Sequence, residues 1–290
     1  MKFDQARIRL EPLSVSNCLD MAALFVRQYA KPVAQLIAAF ALPSCLAVFL
    51  LSYYYEYDLR LPVVLFVLLT SPMGVLLISG TAAASFGEPF TWSSVLRRSP
   101  WRIVRLCALG LLLRLVIGAA MAMMLMEDWD MAIRILVGIA LILVPGVWLA
   151  IRTGFFVERA VLADLSNHAH ETRGSKLIRK QFGDLFVGGG MIVAYCGLLW
   201  IVFFFVCDLA IDFLFQIPIF LARIGPDGEM WFLIGGDPKV LCLMTFCAFL
   251  VYPLGRLAWF FTYVDLRVRR DCWDMELQMA QEAERLEGAI

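Results

Sequence analysis

The sequence predicts an all-α, polytopic membrane protein with six transmembrane helices and short amphipathic helices at the membrane surface. Three observations lead there. Hydrophobic residues make up 61% of the 290 positions and charged residues only 17%, with a mean hydropathy of +0.78, a composition a soluble domain does not need. Apolar runs about twenty residues long recur along the chain, enough to cross about 30 Å of hydrocarbon as helix. Basic residues collect between alternate runs and near the chain ends, the pattern of a multi-pass protein with one positive side.

The first residues, MKFDQARIRLEPLSVSNC, have no unbroken apolar stretch and no small-x-small cleavage site, so the first span is expected to act as an uncleaved anchor. Residues 14–31 read as a helix too polar to span, with Leu19, Ala22, Leu24, Phe25 and Ala30 on an apolar side. Such a helix suits the inner membrane surface; an ordinary cytosolic helix or an early start to the first span are the alternatives. The first span is expected at Pro32–Ser52 with Pro43 inside it, where a proline kinks or breaks a helix unless a neighbour covers the freed carbonyl. After the tyrosine-rich loop 53–60, the second span covers Leu61–Ala83 and contains Pro72, Gly74 and Gly80.

Glu88 and Pro89 mark a turn, after which Thr91 or Ser93 can cap a short amphipathic helix carrying Arg97 and Arg98. The third span is expected at Ile103–Met126. Arg105 lies near its cytoplasmic end and Arg114 deeper, where snorkelling to the headgroups is harder. An acidic loop, 127–130, leads to the fourth span, Met131–Ile151. The polar segment 152–184 starts as helix with Glu158 and Arg159 and ends in a short basic helix, Lys176–Phe186. The fifth span, Leu185–Val206, contains Gly188, Gly189 and Gly190, which permit either close helix approach or a local break. The segment 208–236 is unusually apolar for a loop and is expected to dip into lipid or dock on other spans, with Asp208 and Asp212 one turn apart on one face. The sixth span, Val240–Tyr263, leaves the membrane through aromatic residues into Asp265, Arg267, Arg269 and Arg270.

Charge tests this order. With both termini in the cytoplasm, the inner segments hold eighteen basic residues and the outer loops three, a clear positive-inside bias. The chain then forms a single integral membrane domain, 1–290, with a cytoplasmic tail from 264 to 290. A short basic helix precedes a pair of spans at 14–83, 90–151 and 174–263, which suggests three similar hairpins around a shared centre.

Two motifs carry a resemblance. The exit RLAWFFTYVDLRVRRDCWDMELQ resembles the end of a group of uncharacterised bacterial six-span membrane proteins. The segment FFVERAVLADL, followed by SKLIRKQFGDLF, resembles the membrane domain fused to glycerophosphoryl diester phosphodiesterases, with Glu158, Ser175, Lys176, Arg179, Lys180 and Phe182 at matching positions. The chain has no room for that family's catalytic barrel, so the resemblance implies the membrane architecture without the phosphodiesterase activity.

No catalytic motif, phosphate-binding glycine loop or Cys/His metal set is present in the sequence. The eight cysteines contain no C-x-x-C pair, and most fall in apolar runs, where cysteine packs as a small hydrophobe; His168 and His170 read as loop residues. The expectation is therefore no enzyme, no cofactor and no metal. Basic residues interspersed with acids along a membrane face give no nucleic-acid footprint. The candidate functional residues are the deep arginines Arg114 and Arg256, the acid Glu158, and the boundary charges Asp265, Arg267 and Arg269. An arginine within a span faces protein, water or an acidic partner, and Glu158, Asp208, Asp265 or a lipid phosphate are the sensible partners. The boundary charges suit anionic headgroups, with Asp265 and Arg269 spaced to pair along a helix. The resulting functional expectation is a non-enzymatic accessory or scaffold of a bacterial inner-membrane complex, touching membrane lipids and a membrane or cytosolic protein partner. The alternative is a transporter, channel or lipid-handling protein with an arginine-lined cavity. A packed centre with an apolar patch exposed on the interior, cytoplasmic-side helices favours the first, and paired polar groups facing a cavity or a groove open to lipid favour the second.

Overall fold

The computed structural model describes residues 14–54, 60–85, 89–98, 100–101, 103–111, 155–165, 182–223, 233 and 237–271. Its helices are α1 (Val15–Gln28), α2 (Ala30–Tyr54), α3 (Arg60–Ser85), α4 (Trp92–Arg98), α5 (Phe156–Leu165), α6 (Phe182–Phe215) and α7 (Pro238–Asp271), with a further helical run at 103–111. No strand occurs among the described residues. Four of these helices, α2, α3, α6 and α7, are long and apolar enough to cross a membrane, and they contain the first, second, fifth and sixth expected spans. The third expected span is seen only as helix over 103–111; its remainder, the fourth span and the basic helix before Phe182 lie outside the described residues.

Helix α1 begins at Ser14, whose hydroxyl accepts a hydrogen bond from the Asn17 amide at 3.2 Å, satisfying one of the free amides of the first turn. Cys18, Ala22 and Phe25 form its buried stripe and pack into the main core with Leu257, Phe261 and Val264 of α7. Leu24, expected on the apolar side, is instead 59% exposed, because the buried stripe is centred on Cys18 and Ala22. A single residue, Tyr29, separates α1 from α2.

Helix α2 runs through Pro43 without interruption. Proline cannot donate to the carbonyl four residues back, yet the flanking turns hold and the break allowed by the sequence does not occur. Several serine and threonine hydroxyls in these long helices turn back onto their own helix: Ser44 donates to the Phe40 carbonyl at 2.7 Å, Thr81 to Leu77 at 2.8 Å and Thr245 to Leu241 at 2.7 Å. In lipid, where water does not reach, such internal partners are the available ones.

After α3 the chain doubles back so that the Phe90 ring lies on Gly80, where any Cβ would come within 1.9 Å of it. Trp92 then donates its indole N–H to the Pro32 carbonyl at 3.0 Å, tying α4 to the start of α2. The run 103–111 rests on α3 through Ser71, whose hydroxyl donates to the Cys107 carbonyl at 3.3 Å.

Helix α6 is unbroken across Gly188, Gly189 and Gly190. Gly188 faces Val15 of α1 and Gly189 faces the Trp259 ring of α7, where an added Cβ would sit 3.0 Å away, while Gly190 is open. The glycines are thus a seat for neighbouring helices and not a break. The helix also runs nine residues beyond the expected end at Val206. Its apolar span is only 11% buried, so most of it presents aliphatic and aromatic side chains outward.

Beyond Phe215 the chain reverses at Gln216, which has a positive φ of 55°, a conformation uncommon for a residue with a side chain. Asp208 holds the returning strand of chain: its two carboxylate oxygens accept from the Phe220 and Leu221 amides at 3.0 and 2.9 Å. This places Ile219 and Phe220 in a second cluster with Phe204, Leu233, Val240, Leu243 and Cys247. The described part of the apolar segment therefore docks on its own flanking helices, and an ion pair joins Arg223 to Asp237 at the start of α7. Asp237 also accepts from the Lys239 amide at 2.8 Å, starting α7. That last helix is the centre of the bundle, in contact with α1, α2, α3 and α6.

Candidate functional site: a buried ion pair on the last helix

Tyr252, Arg256, Trp259 and Tyr263 follow one another at steps of four, three and four, so they share one face of α7. Each finds a partner on another element. The Tyr252 hydroxyl donates to the Thr70 carbonyl of α3 at 2.6 Å. The Arg256 guanidinium places Nη1 2.5 Å from Oε1 of Glu158, whose side chain is fully buried while that of Arg256 is 11% exposed. Trp259 stacks on Phe155, with ring centroids 4.7 Å apart and planes at 10°, and Tyr263 tilts against the same ring at 5.0 Å.

Phe155 and Glu158 are three residues apart at the start of α5, hence neighbours on its surface. Together they make a two-pronged contact, with the ring held by two aromatics and the carboxylate held by the arginine one turn away. The Arg159 amide bonds back to the Phe155 carbonyl at 2.9 Å, which fixes the first turn that carries both prongs. Opposite them, Gly74 of α3 leaves the space the arginine occupies. A Cβ there would stand 2.4 Å from the Tyr252 hydroxyl and 3.3 Å from Arg256 Nε, so close approach of α3 and α7 at this level requires glycine.

Among the described residues, neither carboxylate oxygen of Glu158 nor Nε of Arg256 has a hydrogen-bond partner of good geometry. Charges taken from water lose several kcal/mol of solvation each, so the two groups hold one another in place: either alone would be an uncompensated charge in the core.

Of the expected site residues, the structure brings Arg256 and Glu158 together. Asp265 and Arg267 are half-buried on the final turns of α7, about two and a half turns or more beyond Arg256. Arg269 is in α7, but its side chain lies outside the described residues, as does all of Arg114. Asp208, one of the acids considered as a partner for the arginines, is instead the cap of the turn after α6. Phe155, Tyr252 and Gly74 were not among the expected site residues; the regular spacing of Tyr252, Arg256, Trp259 and Tyr263 is the sequence signal that leads to them. A half-open pocket of about 180 Å³ lies apart from the pair, between α1 and the end of α3, lined by Met21, Leu24, Phe25, Gln28, Tyr29 and Phe261 among others. No group of three or more His, Cys, Asp or Glu side chains able to hold a metal ion occurs among the described residues. No family model, no curated protein and no solved structure matches this chain.

Proposed function

We propose that this chain is a non-enzymatic scaffold or accessory subunit of a bacterial inner-membrane complex. In this reading it crosses the membrane six times, with both termini in the cytoplasm and three related hairpins gathered around α7. The observation that carries the reading is how the one described deep charge pair is used. Arg256 and Glu158 join α7 to α5 beside Gly74 of α3, packed among aromatic rings. Large apolar side chains meanwhile stand out near the basic end of the bundle: Leu24 at 59% exposure, Leu96 at 49%, Trp101 at 80% and Val104 at 56%. Large apolar side chains left exposed in this way suit a contact with lipid or protein. Arg267 and Arg269, at the end of α7, add charge suited to anionic headgroups.

The Glu158 carboxylate oxygens and Arg256 Nε, none with a well-formed hydrogen bond among the described residues, favour a second reading, in which the pair binds a transported or lipid-borne group. One experiment separates the two. The tagged full chain, extracted in mild detergent, is expected to carry a stoichiometric membrane protein that stays bound when Glu158→Leu and Arg256→Met are combined and is lost in Leu96→Ser/Trp101→Ser. A chain that purifies alone, and whose cellular phenotype follows the two charges instead of the surface residues, sinks the scaffold reading. The topology has its own check: single cysteines placed at 54–60 and 127–130 are expected to react with an impermeant thiol reagent from outside intact spheroplasts, and those at 160–175 only after lysis. The reverse pattern overturns the six-span arrangement.

A further inference from the structure

Two cysteines on different helices face one another in the crossing of α2 and α7. The Cys242 thiol donates to the Cys45 carbonyl at 2.9 Å, and the Cys45 thiol lies 3.6 Å from the Cys242 carbonyl. Cysteine has one of the shortest polar side chains, so each thiol reaching the other residue's carbonyl brings the two backbones close at this crossing, the first requirement of a disulfide. Both thiols are free and half-buried. From the reciprocal placement of these thiols we infer that Cys45 and Cys242 form a reversible disulfide clasp between the first long helix and the last.

Access supports the assignment. Cys242 is three residues from the exposed Lys239 and five from Asp237, which pairs with Arg223. At about 1.5 Å per residue, the thiol pair is within a turn or two of the charged edge of α7, and an oxidant from the aqueous side need not cross the bundle. In the six-span arrangement proposed above, that edge faces away from the cytoplasm, where disulfides persist; the pairing chemistry does not depend on this orientation. Cys247, by contrast, is buried in the second cluster with Cys207 of α6 packed against it, further along α7 and away from the edge.

The reaction is thiol–disulfide exchange with a small disulfide. One thiolate attacks the incoming S–S bond and forms a mixed disulfide, and the second thiolate displaces the remaining half. A bond forms between the Cys45 and Cys242 sulfurs, the oxidant's bond breaks, and the two electrons and two protons leave on its two released thiols. The clasp closes a loop between residues 197 apart in the sequence, so oxidation limits the separation of α2 and α7 in any opened state.

The test uses the full chain in mild detergent, treated with dithiodipyridine, quenched by alkylation and mapped without reduction. The expected result is a peptide pair joined through Cys45 and Cys242, mass lower by two hydrogens, reversed by phosphine. The oxidised chain is expected to unfold several degrees higher than the reduced one. In Cys45→Ala the joined peptide disappears and Cys242 carries the pyridine adduct. The wild-type map alone decides the matter if that variant fails to fold. Recovery of Cys45 and Cys242 as separate adducts or as unreacted thiols, or a bond from either to another cysteine such as Cys247, overturns the assignment.

Discussion

Glu158→Leu is expected to destabilise the bundle by about 3–5 kcal/mol, because it leaves the Arg256 guanidinium buried without its counter-charge. The measurement is the unfolding midpoint in detergent, by heat or by a denaturing surfactant. The informative arm is the double variant Glu158→Leu/Arg256→Met. Removing both charges removes both desolvation costs and leaves side chains of similar volume, so most of the loss should return. Glu158→Gln should fall between, since an amide keeps the shape but not the charge. If the single variant matches the parent, or the double variant is as damaged as the sum of its parts, the pair is not the coupled unit its geometry describes.

Phe155→Ala is the second large effect, expected at about 3–5 kcal/mol. The ring is fully buried between Trp259 and Tyr263, and its loss opens a cavity that the rigid faces of two other rings cannot close. Phe155→Leu should cost visibly less by filling part of the space. Because Phe155 and Glu158 dock the same helix turn, the effects of Phe155→Ala and Glu158→Leu should not add: once one prong is gone, the other has less to hold. Full additivity of the two midpoint shifts would mean that α5 is anchored by something other than this turn.

Much of the helical layout is legible in the sequence because lipid imposes a simple demand. A span must be long, apolar and internally hydrogen-bonded, and the runs that became α2, α3, α6 and α7 meet it on composition alone. The depth of Arg256 in its run marked it as a residue needing a partner, and Glu158 was one of four partners that chemistry allowed. Choosing among them needed tertiary structure, since 98 residues separate the two positions in the sequence. Asp208 illustrates the same gap. Its place one turn from Asp212 is visible in the sequence, but its hydrogen bonds reach amides 12 and 13 residues away across an irregular reversal. The glycines 188–190 were ambiguous for a different reason: glycine serves both a break and a close approach, and only the presence of Trp259 on the facing helix decides between them.

The contacts of α7 also set an order of events during synthesis. Four helices that precede it, α1, α2, α3 and α6, all pack against it, and it leaves the ribosome after every one of them. At about 5–20 residues per second, the interval between the end of α2 and the start of α7 is about ten to forty seconds. From the moment each is made until α7 follows, Gly74, Phe155 and Glu158 lack the helix they pack against. A chain that stops short of residue 256 therefore holds these earlier helices without the one that joins them.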